Sequence, residues 1–145
     1  MKRIALSLLL GLVTVGAFAQ WANPADDVPA YNSQSPTAKL PPILSGSQLQ
    51  GPSFQYSWQP KVYQMAAKIP AVLHQLPCYC RCDRSLGHNS LHSCFENTHG
   101  AECSTCAKEA VFAYRLTAQG KTAKQIREGV ERREYESIDL DHLGS

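Results

Sequence analysis

The stretch LPCYCRCDRSLGHNSLHSCFENTHGAECSTC, residues 76–106, holds all six cysteines of the chain and three of its five histidines. Such crowding constrains the fold more than any apolar period does. Whatever chemistry these groups serve, the fold must bring sulfur and imidazole to a common point. A disulfide framework, a metal site and a thiol-redox centre each account for the window, and each makes different demands on spacing and compartment.

Written as spacing, the window is C-x-C-x-C-x5-H-x3-H-x-C-x4-H-x3-C-x2-C. Cys78, Cys80 and Cys82 follow a period of two. An extended strand would turn all three sulfurs to one face, with Tyr79 and Arg81 on the other, whereas a helix would scatter them. CYCRC therefore reads as a short extended arm. The later residues use helical spacing: His88 and His92 stand four apart, SLHSCFE suits a short helix, and Cys103 and Cys106 fall at the start of a longer one. Thiols at a helix N-terminus feel its positive end, which favours the thiolate that ligates metals or attacks disulfides.

The flanks supply scaffold and address. Residues 1–19 combine Lys2 and Arg3, an apolar run too short for a comfortable span, and small residues at Ala17 and Ala19. That is the pattern of a secretory signal, with cleavage expected between Ala19 and Gln20. No cysteine follows the site, which argues against a lipid anchor; a retained, uncleaved signal is the alternative. The mature chain is expected in the periplasm or outside the cell, without a membrane span. The chain has 14 basic and 12 acidic side chains, and losing Lys2 and Arg3 brings them to parity. A neutral chain lacks the basic stripe that phosphate backbones require, so nucleic acid is excluded as partner.

All nine prolines lie between Pro24 and Pro77. Residues 20–60, rich in Pro, Ser, Gln and Asn, read as a disordered or extended lead. From residue 61 the period becomes helical: Val62, Ala66 and Ile69 share a face, Pro70 ends or restarts the helix, and Pro77 stops it before Cys78. After Cys106 the chain reads as a helical hairpin. Gly120 is placed as a C-cap, TAKQ opens the second helix as a capping box, and Ile126 and Val130 face back. Arg127, Glu128, Glu131, Arg132 and Glu134 read as solvated surface. The fold expected over residues 61–145 is a small, irregular, cysteine-rich all-α domain.

Disulfides suit an exported chain with an even cysteine count, yet they leave the embedded histidines unexplained. A soft-metal site explains both residue types, because thiolates select copper(I), zinc or iron–sulfur clusters and imidazole suits copper and zinc. Repeated iron–sulfur spacings are absent. Ala107 stands where covalent haem attachment needs histidine. Cys103 and Cys106 could serve a thiol oxidoreductase, one attacking and one resolving, although no βαβ context surrounds them.

The segment PCYCRC, together with GHNSLHSCF, THG and the C-x2-C, resembles the PCYCGC-motif family, also described as CYCXC-family (seleno)proteins, over residues 63–133. Arg81 replaces the glycine of the name-giving motif, which bears on how closely backbone can approach there. That family consists of exported bacterial proteins, often lipoproteins, of poorly established function; the resemblance implies export, and the lipoprotein habit is not carried over because no cysteine directly follows the signal. Selenocysteine at a motif cysteine in some members implies redox or soft-metal chemistry. The matched motif positions are Cys78, Cys80, Cys82, Cys94, Cys103, Cys106, His88 and His99.

The reading that joins these strands is a protein binding copper first, zinc second, through Cys78, Cys80, Cys82, Cys94, Cys103, Cys106, His88, His92 and His99. Its role is expected to be sequestration, transfer or sensing, with a redox or metal-transfer protein as partner. A thiol–disulfide or peroxide-handling redox protein and a disulfide-stapled domain are the alternatives. No Ser-His-Asp set, phosphate loop or carboxylate pair is evident.

Overall fold

A computed structural model describes residues 27–143; the signal segment, its cleavage site and Trp21 lie outside the described residues. Among the described residues there is no strand. The helices are α1 (Trp58–Ala66), α2 (Pro70–Leu73), α3 (Cys82–Ser85), α4 (His99–Glu102), α5 (Ser104–Ala118) and α6 (Ala123–Glu131). Turns of 3-10 helix occupy Gly46–Gln48, Leu91–Phe95 and Glu134–Ser137. The all-α, cysteine-rich architecture expected from the sequence is the one observed. None of the described helices is long and apolar enough to cross a membrane.

Helix α5 is the axis on which the rest is built, packing against α1, α2, α4, α6 and the last two 3-10 turns. Its buried residues Cys106, Ala107, Ala110, Val111 and Ala113 are mostly small, so neighbouring backbones approach closely. Helix α1 answers with Val62, Tyr63 and Ala66, all fully buried. Tyr63 stands edge-on between Phe54 and Phe95, with ring centroids 5.3 and 5.0 Å away. Its hydroxyl donates to the Asn97 carbonyl at 2.5 Å, so the buried ring leaves no orphan polar group. Pro70 opens α2 at a position where its missing N–H costs nothing, and Leu73 and Leu76 follow into the core.

The C-terminal hairpin follows the sequence closely. Gly120 takes φ +77° just past α5 and donates to the Thr117 carbonyl at 2.9 Å. Thr122 and Gln125 exchange the reciprocal bonds of a capping box at α6, at 3.0 and 3.3 Å. Ile126 and Val130 are fully buried. Arg127 differs from the expected solvated residue. Its guanidinium lies 4.6 Å from the Tyr31 ring centroid and donates to the Gln75 carbonyl at 3.2 Å. The aliphatic stem packs while the head finds partners, as long basic side chains do.

Among its described residues, the Pro-rich lead has one 3-10 turn before α1 begins at Trp58, three residues earlier than the expected boundary; proline removes donors and fixes φ at close intervals along the rest. It is laid along the helices. Leu44 N–H donates to the Phe95 carbonyl at 3.0 Å, Asn32 N–H to the His74 carbonyl at 3.3 Å, and Leu49 is buried.

Candidate metal centre

The first correction concerns the arm. CYCRC is not extended: Arg81 N–H donates to the Cys78 carbonyl at 3.2 Å, Arg81 itself takes φ +63°, ψ +27°, and Cys82 begins α3. The chain turns back on itself, and the turn does what a strand could not. It wraps three sulfurs around a point instead of spacing them along a line. Left-handed backbone costs a non-glycine residue about 1–2 kcal/mol, which explains physically why a glycine suits this position. Here the Arg81 side chain reaches Asp27 in the lead, donating to its backbone carbonyl at 2.7 Å and to its carboxylate at 3.3 Å, and Arg84 pairs with that carboxylate.

Short elements then deliver the remaining donors. Leu91 N–H donates to the Leu76 carbonyl at 2.9 Å, which ties the Cys94 turn to the start of the arm. Leu86 and His88 both donate to the Cys82 carbonyl, at 2.9 and 3.3 Å, so the loop through Gly87 folds back. That places His88 Nδ1 3.4 Å from Cys94 Sγ. Helix α4 presents His99, whose N–H is capped by the Asn97 side chain at 2.8 Å. Gly100 is required beside it, since a Cβ there would lie 2.6 Å from the buried Phe95 ring. Helix α5 presents Cys106 from its first turn, as its spacing predicts.

The sulfurs converge. Cys78, Cys80 and Cys106 form a triangle with Sγ–Sγ edges of 3.4, 3.2 and 3.5 Å. Cys82 and Cys94 meet at 3.4 Å, and His99 Nε2 stands 3.6 Å from Cys80 Sγ. Three overlapping sets of four donors have all their ligand atoms within 4.8 Å of one another: Cys78, Cys82, Cys94 and Cys106; Cys80, Cys82, His99 and Cys106; and Cys82, His88, Cys94 and His99. The first set is wholly buried, while Cys80, His88 and His99 are half-buried. A tetrahedral ion with metal–sulfur bonds of about 2.3 Å needs sulfur–sulfur edges of about 3.8 Å. The closest sulfur pairs, at 3.2–3.5 Å, fall short of this and the remaining donors of each set lie within 4.8 Å, displacements that short helices and turns can absorb. The donor set thus fits a metal ion, and the fold holds a cysteine–histidine cluster positioned to coordinate one.

Two residues expected as ligands fall outside the four-donor sets. His92 is buried, but its Nδ1 is taken by Glu96 at 2.9 Å and it belongs to none of the donor sets. The four-residue spacing from His88 aligns two side chains only on a continuous α-helix, and here the helical turn starts at Leu91 and is 3-10. At three residues per turn, His92 and Cys94 point to different sides. Cys103 is the half-exposed N-cap residue of α5; it neighbours Cys80 and Cys106 without joining a set of four.

The residue that sequence reasoning missed is Glu109. It is fully buried one turn after Cys106, and Oε1 accepts the Tyr79 N–H at 2.8 Å, so a carboxyl group holds the arm from within. Its Oε2 has no hydrogen-bond partner. Burial pushes its pKa well above the ordinary glutamate value. The available signal was a lone acid on the otherwise apolar face of α5, beside Ala110 and Ala113.

The cluster gives up some protons readily and holds others. Contact with Cys103, Cys106 and Cys78 pulls Cys80 down to about 2. Cys82 is lowered too, chiefly by Cys106 and Cys78. Cys106 is raised by its thiol neighbours, Cys103 first, and by burial. His99 is raised: burial works against its charge, and the Cys80 sulfur outweighs burial by stabilising it. Thiolate is therefore favoured at Cys80, beside the half-exposed His99, which is where an arriving cation would be attracted, whereas Cys94 beside His88 is raised by its neighbours and burial.

Neither a curated protein nor a solved structure matches the chain. A family profile matches residues 47–138, from the first 3-10 turn through the end of the last, and so covers the arm, the cluster and the hairpin. The glycine in that family's name falls at the left-handed turn occupied here by Arg81. On that match the chain belongs to the family described as proteins of unknown function with a PCYCGC motif.

Proposed function

We propose that this is an exported soft-metal-binding protein, for copper(I) first and zinc second, acting in sequestration, transfer or sensing. The observation that carries the reading is the sulfur triangle with imidazole beside it. Cys78, Cys80 and Cys106 each touch two other sulfurs, and His99 and His88 each approach a thiol. A disulfide consumes sulfurs in pairs and has no use for imidazole; a metal ion gathers both. Copper(I) is placed first because a low-coordinate soft ion suits a triangle of thiolates, and zinc second because it suits the four-donor sets.

When bound, the ion would be held by thiolates and imidazole, without open-site chemistry being required. The chain's own residues do the rest. Cys80 and His99 receive the cation at the half-exposed side, the buried thiols retain it, and Glu109 fixes the arm through Tyr79. Leu91, Phe95 and Leu76 keep water from the buried side. The charge that ligation adds is offset as thiols release protons, so affinity falls in acid. Export rests on the signal pattern in residues 1–19.

A second reading draws on a specific observation. Cys78 with Cys106 and Cys82 with Cys94 are close enough to bridge on oxidation, which would give either a redox protein or a stapled domain. One experiment separates the readings: anaerobic purification, metal analysis, and a count of free thiols before and after reduction. Stoichiometric copper or zinc with protected thiols is the expected result. Metal-free protein without free thiols, unable to take up either ion after reduction, would overturn it.

A further inference from the structure

We infer that the centre is dinuclear: two soft metal ions share the Cys82 thiolate. This rests on the soft-metal reading above and adds to it a stoichiometry and a bridging residue. The argument begins from the three donor sets. Cys82 belongs to all of them, while Cys94, His99 and Cys106 belong to two each and Cys78, Cys80 and His88 to one. Seven side chains thus define three overlapping four-donor positions, and only donors that bridge can serve two ions at once.

Lone pairs decide how far that sharing goes. A thiolate sulfur carries several and can bridge two ions. A neutral imidazole has one in-plane lone pair, on whichever ring nitrogen lacks the proton, so the whole side chain can bind only one ion. The two sets containing His99 therefore compete for it, which lowers the capacity from three four-coordinate ions to two. One ion takes the wholly buried set of Cys78, Cys82, Cys94 and Cys106. The other takes a set completed by His99.

Both ways of placing the second ion keep Cys82 as a bridge. With Cys80 and His99 as its terminal donors, it shares Cys82 and Cys106 with the buried ion. With His88 and His99 as its terminal donors, it shares Cys82 and Cys94. The position of Cys82 in the chain suits that role. It stands at the start of α3, immediately after the left-handed turn, with its side chain buried between the arm and the Cys94 turn. The edge-to-face packing of His88 on His99, with centroids 5.3 Å apart, keeps both imidazoles on the same side of the cluster. The two ions consequently differ: one is enclosed by sulfur, and the other faces the half-exposed imidazoles. Uptake moves no electrons. Each ligating thiol releases its proton to solvent, and the ions keep their oxidation state.

The test titrates the reduced, purified protein anaerobically with copper(I), and separately with zinc, against a competing chelator, reading stoichiometry by native mass spectrometry. X-ray absorption at the metal edge reads metal–metal scattering on the wild-type protein, so this arm needs no variant. Two ions and a short metal–metal vector are expected. His99→Ala is expected to retain one ion, because the buried set is complete without it. Cys82→Ser is expected to lose the vector and at least one ion; circular dichroism checks that it is folded, and His99→Ala carries the test if it is not. Saturation at one ion, or two ions without a metal–metal vector, would overturn the shared bridge while leaving metal binding intact. No uptake of either metal would overturn the metal reading itself.

Discussion

The cluster segment, residues 78–103, and the α5–α6 hairpin solve the same problem by opposite means. The hairpin has two helices of useful length, a capping box, a glycine past the end of α5, and Ile126 and Val130 buried against its partner. The cluster segment has two four-residue helices and one 3-10 turn, far below the length at which a helix holds itself in water. What lies at its centre is chiefly sulfur. A hairpin of this kind is stabilised by apolar burial, whereas the cluster segment adds to its buried Leu91 and Phe95 a centre of thiols and imidazoles that a bound ion would tie together.

The largest expected effect breaks that symmetry directly. Removing metal with a chelator under reducing conditions should open residues 78–103 to amide exchange, while α5 beyond its first turn and α6 stay protected. Structural zinc sites in small domains are worth about 10–16 kcal/mol of apparent binding free energy, so the loss in the cluster segment should amount to several kcal/mol. Uniform exchange across both regions would show that the hairpin has no stability of its own.

Two glycines sharpen the contrast, because each meets an aromatic ring. A Cβ on Gly100 would lie 2.6 Å from Phe95, and one on Gly129 would lie 2.7 Å from Phe112. Overpacking of this kind costs about 1–3 kcal/mol. Gly100→Ala and Gly129→Ala should therefore lower stability to urea comparably. Only Gly100→Ala should also weaken metal binding, by about tenfold or more, since it displaces His99 and the Cys94 turn. Equal effects on metal affinity would mean that the two regions are coupled throughout.

Glu109 belongs to both regions, on a hairpin helix yet bonded to the arm. Its folded pKa is raised by burial, so its contribution to stability is complete below the ordinary glutamate value of 4.5. That contribution is lost as pH rises towards the folded value. In the metal-loaded protein, where the arm stays closed over it, Glu109 should lower stability over that window, and Glu109→Gln should flatten that component while keeping an acceptor for Tyr79 N–H. Denaturant unfolding at a series of pH values checks the slope. An unchanged profile in the variant would remove Glu109 from the account.

Arg81 gives the smallest effect. Arg81→Gly and Arg81→Ala both lose the contacts to Asp27, which are exposed ion pairs worth up to about 1 kcal/mol. Only glycine relieves the left-handed backbone, so Arg81→Gly should be more stable than Arg81→Ala by about 1 kcal/mol. Matched urea midpoints would show that the turn relaxes when the side chain is shortened.

The hairpin was legible because its signals are local. Thr122, Gln125 and Gly120 act within a few residues of themselves, and the burial of Ile126 and Val130 follows from period alone. At the centre, the donor types and most of their identities were legible for a different reason: cysteine and histidine in one window have few other uses. Their arrangement was not. The period of two in CYCRC pointed to a strand, and a strand is held by a neighbour that this chain does not supply among its described residues. His92 was drawn in by a spacing that counts only on a continuous helix.

By itself, the sequence determined that the chain would be helical, where α5 would begin and end, where α6 would begin, and which residue types could serve a metal ion. Periodicity, capping and donor chemistry are properties of neighbours along the backbone. Only the tertiary structure decided that the arm turns at Arg81, that Glu109 is buried beneath it, that His92 pairs with Glu96, and that Cys82 lies within reach of every donor set. Those outcomes depend on contacts between residues far apart in the chain, where packing against α5 outweighs local preference.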